Sequence, residues 1–238
     1  MKNFLLSHKK TGIIFFILGV LGIGVIVFYM IMWPHFRNYA SNQISGINYL
    51  AYFTFLANIS ISMWLLLAGV SIILKLERLK KILVSPKIFC GVILYALITG
   101  LVYYGAIRWI ITPFPWYLWW ARLSDAFFHA ITPIVALLLF VYMKIIHNNT
   151  NHVPLKHRHI FLWLVFPLAY FVFSMIRGHL ADWFPYPFFD MNWEFIITLG
   201  IPSWLYIFLL VVLFLALFYL IGFVIMKIWN KICNEFTS

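Results

Sequence analysis

This chain has very little charge. Charged residues fill 10% of its 238 positions, and six of them are acidic. A soluble domain of this size needs far more charge to cover its surface, so a water-soluble fold is excluded. Cysteine is scarce as well. Cys90 and Cys233 form no CxxC or zinc-type spacing. On the topology derived below both lie near the inner face, where a disulfide is not expected. There is no low-complexity stretch, no internal repeat and no connector long enough to hold a soluble domain. The net charge of +11 is spread along the chain, not gathered on a foldable basic surface, so no nucleic-acid partner is expected.

What the chain does have is apolar length. Hydrophobic residues make up 65% of it, and a membrane-spanning helix needs about 20 of them in a row. Six runs qualify: Gly12–Trp33, Leu50–Leu74, Ile88–Arg108, Asp125–Ile146, Ile160–Ile176 and Ser203–Met226. In lipid every backbone polar group must pair within its own segment or a closed barrel, so runs of this length are helices. The expected fold is all-α: a polytopic membrane bundle of six transmembrane helices forming one domain over residues 1–238. The first run is longer than a signal-peptide core, and Trp33-Pro34-His35 is not a small-residue cleavage site, so it is read as retained.

The basic residues set the orientation. Lys2, Lys9, Lys10, Lys75, Arg78, Lys80, Lys81, Lys87, Lys144, Lys156, Arg158, Lys227 and Lys231 fall at one face, against Arg37, Arg108, Arg122 and Arg177 at the other. The crowded face is cytoplasmic by the positive-inside rule, which puts both termini inside. The outer connectors, Ile110–Ser124 and Gly178–Pro202, are rich in Trp, Tyr and Pro. Such residues make an interfacial aromatic belt, or a lid over a lipid-accessible pocket.

Polar residues inside spans are costly, and those present are the functional candidates. The fourth run opens with Asp125 and carries His129 one turn later, followed by Thr132 and Pro133. An Asp at i−4 can hold an imidazole in one tautomer and stabilise its charged form. The second run carries Thr54, Asn58 and Ser62 on one face. Counting from helix starts near Leu50 and near Ser124 or Asp125, Thr54 and His129 each lie ~6 Å inside the outer boundary. Equal depth permits a nucleophile–base pair. It equally permits two residues that only tie helices together.

Other candidates read more simply. His152, His157 and His159 share a basic inner loop without a closed ligand set, so no metal is expected. His35 and His179 lie in or beside outer connectors. Asn148-Asn149-Thr150 matches a glycosylation sequon on the wrong side of the membrane. Arg108, Arg122 and Arg177 end spans as snorkelling anchors or as ligands for a lipid carboxylate or phosphate. No paired, broken helices of a transporter are evident.

The order of short motifs resembles a known family. Phe53-Thr54-Phe55 opens the second span, His129 precedes Pro133 in the fourth, Phe166-Pro167-Leu168-Ala169-Tyr170 lies in the fifth, and Trp183-Phe184-Pro185-Tyr186-Pro187-Phe188 follows outside. Together they resemble the androgen-induced protein family of six-span membrane proteins, closest to its bacterial branch. That resemblance implies an intramembrane hydrolase of esters between fatty acids and hydroxy fatty acids, with Thr54 as nucleophile and His129 as its base. Vertebrate members carry an acidic residue three positions after the Thr, where this chain has Ala57 followed by Asn58.

The expected mechanism is then a threonine ester hydrolase near the outer face of a bacterial cytoplasmic membrane. Thr54 attacks an ester carbonyl, His129 moves the proton and Asp125 orients His129. Asn58 donates to the oxyanion or positions Thr54. Arg177 holds an anionic lipid head, and Tyr170, Tyr186 and Asp190 complete the pocket wall. No cofactor is expected, the partners are membrane lipids or fatty acid esters, and the oligomeric state is left open. Two rivals use the same residues: an acyltransferase that passes acyl-Thr54 to a lipid alcohol, and a non-enzymatic lipid-binding or scaffold protein. A Thr54–His129 separation of ~2.6–3.2 Å is the geometric expectation for catalysis, with looser values common in free enzymes.

Overall fold

The computed structural model describes residues 9–32, 46–110, 117–148, 154–192, 197–198 and 200–235. It is 88% helical, with no strand among the described residues, so the fold is all-α. Six helices are long and apolar enough to cross a membrane: α1 (Lys9–Met32), α2 (Phe53–Ile73), α4 (Pro86–Ile107), α5 (Trp119–Ile145), α6 (His157–Ala181) and α7 (Ser203–Glu235). Their apolar side chains remain exposed on the outside of the bundle, as at Phe161, Leu168, Phe208 and Leu213. This is the surface of a multi-pass integral membrane protein, whose outer side chains meet lipid instead of water.

Helix boundaries differ from the sequence expectation in a consistent way. A short 3-10 turn, Gly46–Ala51, precedes α2, which therefore starts at Phe53 and not near Leu50. A short amphipathic helix, α3 (Glu77–Leu83), fills the connector expected between Lys75 and Lys87. The α5 helix starts at Trp119 instead of Asp125, and α6 begins at His157 and runs on to Ala181. Hydropathy ends a span where polar residues begin, but a helix continues while its backbone bonds are satisfied and one face is buried. Around the start of α5, Leu118, Trp120 and Ala121 pack with Ile26, Tyr29, Tyr49 and Phe55 in a second core cluster. The α6 helix ends at Asp182, whose left-handed backbone (φ 47°) stops it. Trp33 of the expected first span lies outside the described residues.

The α2 and α4 helices form the centre, and α7 the periphery. The α1 helix packs along α2 most extensively. At Gly19 an added Cβ would sit 2.5 Å from the Leu66 backbone nitrogen, so only glycine allows that approach. Small residues are the usual means of packing in lipid, where apolar burial gives no net drive between helices. The main core joins Phe53, Ala57 and Trp64 of α2 to Phe89, Ile93 and Ile98 of α4, and to Tyr170 of α6 and Phe218 of α7.

Candidate active site

Thr54 is the second residue of α2, with Tyr52 at the N-cap and no side chain capping the helix. The N–H groups of Phe55 and Leu56 bond to the Tyr52 carbonyl. The Thr54 N–H instead donates to the Tyr186 hydroxyl, at 3.5 Å. Thr54 itself is buried, 7% exposed. Its Oγ1 lies 3.4 Å from His129 Nε2 and 3.4 Å from the Tyr186 hydroxyl. The first distance is slightly longer than the expected window, so Thr54 and His129 are adjacent but not tightly bonded.

Thr54 and His129 lie side by side, as equal depth requires, but the helix starts differ from those expected. His129 lies ten residues into α5, about 15 Å along its axis, whereas Thr54 opens α2. The α5 helix begins further out because its amphipathic first turns are buried, and the displacement brings His129 level with the start of α2.

Local backbone chemistry shapes α5 at this point. Phe127–Ile131 forms one turn of π-helix, with the Thr132 N–H bonding to the Phe127 carbonyl five residues back. Pro133 accounts for it: proline has no N–H to offer the carbonyl four residues earlier, that of His129, and its ring crowds it. A π turn relieves that clash and is a common device at functional sites. It also widens the helix where His129 projects. A second π turn, Tyr103–Ile107, lies opposite in α4.

His129 is held on three sides. Its Nδ1 lies 3.0 Å from the Asp125 carbonyl and 3.1 Å from Asp125 Oδ1. Both are acceptors, so the proton sits on Nδ1 and Nε2 is the free lone pair facing Thr54; this tautomer is assigned from the hydrogen bonds. The Tyr103 hydroxyl donates to Asp125 Oδ2 at 2.5 Å. The Tyr103 ring also stacks on the imidazole, 3.8 Å between centroids and 11° between planes. Tyr103 was not among the sequence candidates. Its only signal was a hydroxyl-bearing ring near the outer end of the third span, and such rings are frequent in this chain.

The remaining candidates divide. Asn58 is fully buried, and its amide N–H2 donates to the Thr54 carbonyl (2.8 Å) and the Phe128 carbonyl (3.3 Å). Both hydrogens are used, so none is left for an oxyanion. The residue ties the first turn of α2 to the π turn of α5. Arg177 is also committed: it donates to Asn48 Oδ1 (2.7 Å) and the Trp183 carbonyl (3.3 Å), and lies 4.5 Å over the Trp183 ring. It staples the end of α6 to its neighbours and does not face the pocket as a free headgroup ligand. Asp190 accepts from the Asn192 N–H at 2.9 Å and is absent from the pocket wall. Tyr170 is buried in that wall and donates to the Ala51 carbonyl at 2.8 Å.

Tyr186 reaches Thr54 because the chain after α6 folds back. Pro187–Phe189 forms a 3-10 turn with Tyr186 at its N-cap. Tyr186 stacks on Phe188 (5.0 Å, 6°) and meets Tyr52 edge-on (5.4 Å). Burial pushes its phenol above the ordinary value, more than the hydrogen bonds at Thr54 and Phe53 draw it down. It therefore stays protonated at neutral pH and keeps a hydrogen to donate.

Beside Thr54 lies an apolar pocket with a cavity volume of about 60 Å³. Phe53, Ile98, Val102, Phe171, Phe188 and Phe214 are among its lining residues, and Thr54, Thr99, Tyr170 and Tyr186 are the polar ones. Leu168, also in the wall, is 45% exposed, and marks where the pocket meets the lipid-facing surface.

Close packing keeps this geometry. A Cβ on Gly100 of α4 would meet the His129 carbonyl oxygen at 2.8 Å and Pro133 Cγ at 2.9 Å. Gly100→Ala should therefore push α4 from α5, at a cost of ~1–3 kcal/mol. Melting temperature and site reactivity should both fall. An unchanged melting temperature would show that α4 and α5 can separate freely here.

The other histidines have local roles. His159 Nδ1 accepts from the Lys156 N–H at 2.9 Å, and His157 Nδ1 is 2.9 Å from the Tyr219 hydroxyl. His179 packs edge-on against Phe184. Cys90 is a buried free thiol. His35, His152, Asn149 and Thr150 lie outside the described residues. No family model, curated protein or solved structure matches the chain, so the functional reading rests on the geometry above and on the motif order.

Proposed function

We propose that this protein is an intramembrane lipid-ester hydrolase with Thr54 as nucleophile and His129 as general base. The observation that carries the reading is one continuous polar chain in an apolar bundle. Thr54 Oγ1, His129 Nε2, His129 Nδ1, Asp125 and the Tyr103 hydroxyl follow one another at 3.4, 3.1 and 2.5 Å. Such a chain is costly to bury for packing alone. The motif order resembling the androgen-induced family points to the same pair of residues.

The steps follow from the groups present. His129 Nε2 takes the Thr54 proton as Oγ1 bonds to the ester carbonyl carbon, and the carbonyl π pair moves to oxygen. The Tyr186 hydroxyl donates to that oxyanion, aided by the partial positive charge at the N-terminus of α2. As the C–O bond breaks, His129 returns the proton to the leaving alcohol, leaving acyl-Thr54. Water then attacks the acyl carbon, His129 takes the water proton and hands it to the departing Thr54 oxygen. The acyl chain lies along the apolar pocket and passes into lipid at Leu168. A lipid alcohol in place of water would make the same intermediate an acyl donor, and product analysis with and without an added acceptor lipid separates these outcomes.

Asn58 acts in this scheme by holding the π turn, so the oxyanion role passes to Tyr186. Tyr186→Phe should lower kcat by about 10²–10³ with little change in KM, the usual loss for one oxyanion donor. An unchanged kcat would remove Tyr186 from the chemistry. The reading as a whole is tested by treating the protein in micelles with a fluorophosphonate. The adduct should map to Thr54 by peptide mass spectrometry. Labelling elsewhere, or none, together with no hydrolysis of a fluorogenic long-chain ester, would sink the assignment and leave a helix-tying role.

A further inference from the structure

At the end of the bundle away from Thr54, the segment leading into α6 lies against the last turns of α7. Between them is a cleft of about 590 Å³. Lys156 stands on one wall, and Lys227 and Lys231 stand on the other. The last two are four residues apart, so they share a face of α7. Leu155 and Met226 add apolar surface.

The two walls are fastened to each other. Asn230 Oδ1 accepts the Leu155 N–H at 2.9 Å, while Asn230 Nδ2 donates to the Leu155 carbonyl at 2.8 Å. One side chain thus satisfies both backbone groups of one residue and sets the spacing of the cleft. His157 adds a second tie through the Tyr219 hydroxyl, at 2.9 Å. Lys227 Nζ is steadied over the Phe223 ring at 5.3 Å. These bonds fix the two walls, and the Phe223 ring steadies Lys227, before any ligand arrives, which lowers the entropic cost of binding.

Among the described residues, none of these three lysines is in an ion pair; the ion pairs there are Lys80–Glu77 and His129–Asp125, and neither involves this cleft. Like charges held close repel, and an anion between them relieves that repulsion. On both sides the cleft continues into exposed apolar faces, Phe161 and Leu162 on α6 and Leu220 and Val224 on α7. A ligand with an anionic head and apolar chains matches both surfaces. Basic pockets between membrane helices are suited to phosphate head groups.

We propose that this cleft binds a phosphate-bearing anion, presented in the membrane as an anionic phospholipid head group. The inference is independent of the Thr54 chemistry. Positive-inside lysines alone would attract such lipids diffusely, so the test compares charge-matched variants. The full chain in detergent is mixed with equal phosphatidylglycerol and phosphatidylcholine and examined by native mass spectrometry. The wild type should retain one phosphatidylglycerol in roughly thirtyfold preference, the scale set by about 1 kcal/mol for each of the two lysines Lys156 and Lys227. Lys156→Gln with Lys227→Gln should bring the preference near parity, and Lys156→Arg with Lys227→Arg should keep it. Glu235 follows Lys231 by one turn in the sequence, so the variants leave Lys231 alone. Lys75→Gln with Lys81→Gln removes equal charge elsewhere and should leave the preference intact. Millimolar inorganic phosphate that displaces the lipid assigns the affinity to phosphate itself; lipid retained against it assigns it to the whole amphiphile. Parity in the wild type, or equal loss in the Lys75/Lys81 variant, would overturn the proposal.

Discussion

Thr54→Ala should abolish fluorophosphonate labelling and reduce ester turnover at least about ten-thousand-fold, since removing the nucleophile of a comparable triad costs on the order of 10⁶ in kcat. The protein should nonetheless remain folded. The substitution keeps Cβ and deletes a hydroxyl whose two contacts are both 3.4 Å, near the outer limit for a hydrogen bond. The lost methyl and hydroxyl should together cost ~1–2 kcal/mol, visible as a modest fall in melting temperature. Thr54→Ser keeps Oγ and should retain labelling. A helix-tying threonine would reverse this pattern: stability would fall while residual reactivity stayed the same. Labelling that survives in Thr54→Ala would remove Thr54 from the chemistry.

Asp125→Asn should lower kcat by about 10²–10³, less than the ~10⁴ lost when the buried acid of a serine protease triad is changed to its amide. Two features of the site set this smaller value. The Asp125 backbone carbonyl, 3.0 Å from His129 Nδ1, survives the substitution and continues to hold the proton on that nitrogen. The carboxylate is also partly open, its side chain 26% exposed, so its charge is partly screened. What is lost is stabilisation of the imidazolium formed during proton transfer. Tyr103→Phe removes one bond to the carboxylate and keeps the ring stack, so its effect should be smaller, roughly tenfold in kcat. The order Thr54→Ala, then Asp125→Asn, then Tyr103→Phe is the result to check by steady-state kinetics on one fluorogenic ester. Equal activity of wild type and Asp125→Asn would mean that His129 is not used as a base.

The legible part of this protein is the part that is local in sequence. Six spans follow from apolar run length against bilayer thickness, a one-dimensional comparison. The Asp125–His129 contact follows from helical spacing, because residues four apart share a face whatever surrounds them. Pro133 likewise marks a disturbed backbone around His129, four residues before it. Side-chain partners far apart in the chain are not legible in this way. Asn58 bonds to the Thr54 and Phe128 carbonyls, the positioning alternative of its two expected roles, while Arg177 bonds to Asn48 and Trp183 and Asp190 to Asn192. A polar side chain in a membrane bundle takes the nearest protein partner, and sequence does not say which partner is near.

Apolar length and i,i+4 spacing by themselves determined the helix number and the acid–histidine pair. Only the tertiary structure decided that Thr54 faces His129 across 75 positions, that Tyr103 braces the imidazole, and that Tyr186 folds back to Thr54. The spans α1 and α4 are apolar nearly all round, so no polar face fixes their rotation or their slide along their neighbours. Those two freedoms are set by glycine contacts and by the amphipathic start of α5, through packing between segments far apart in the chain.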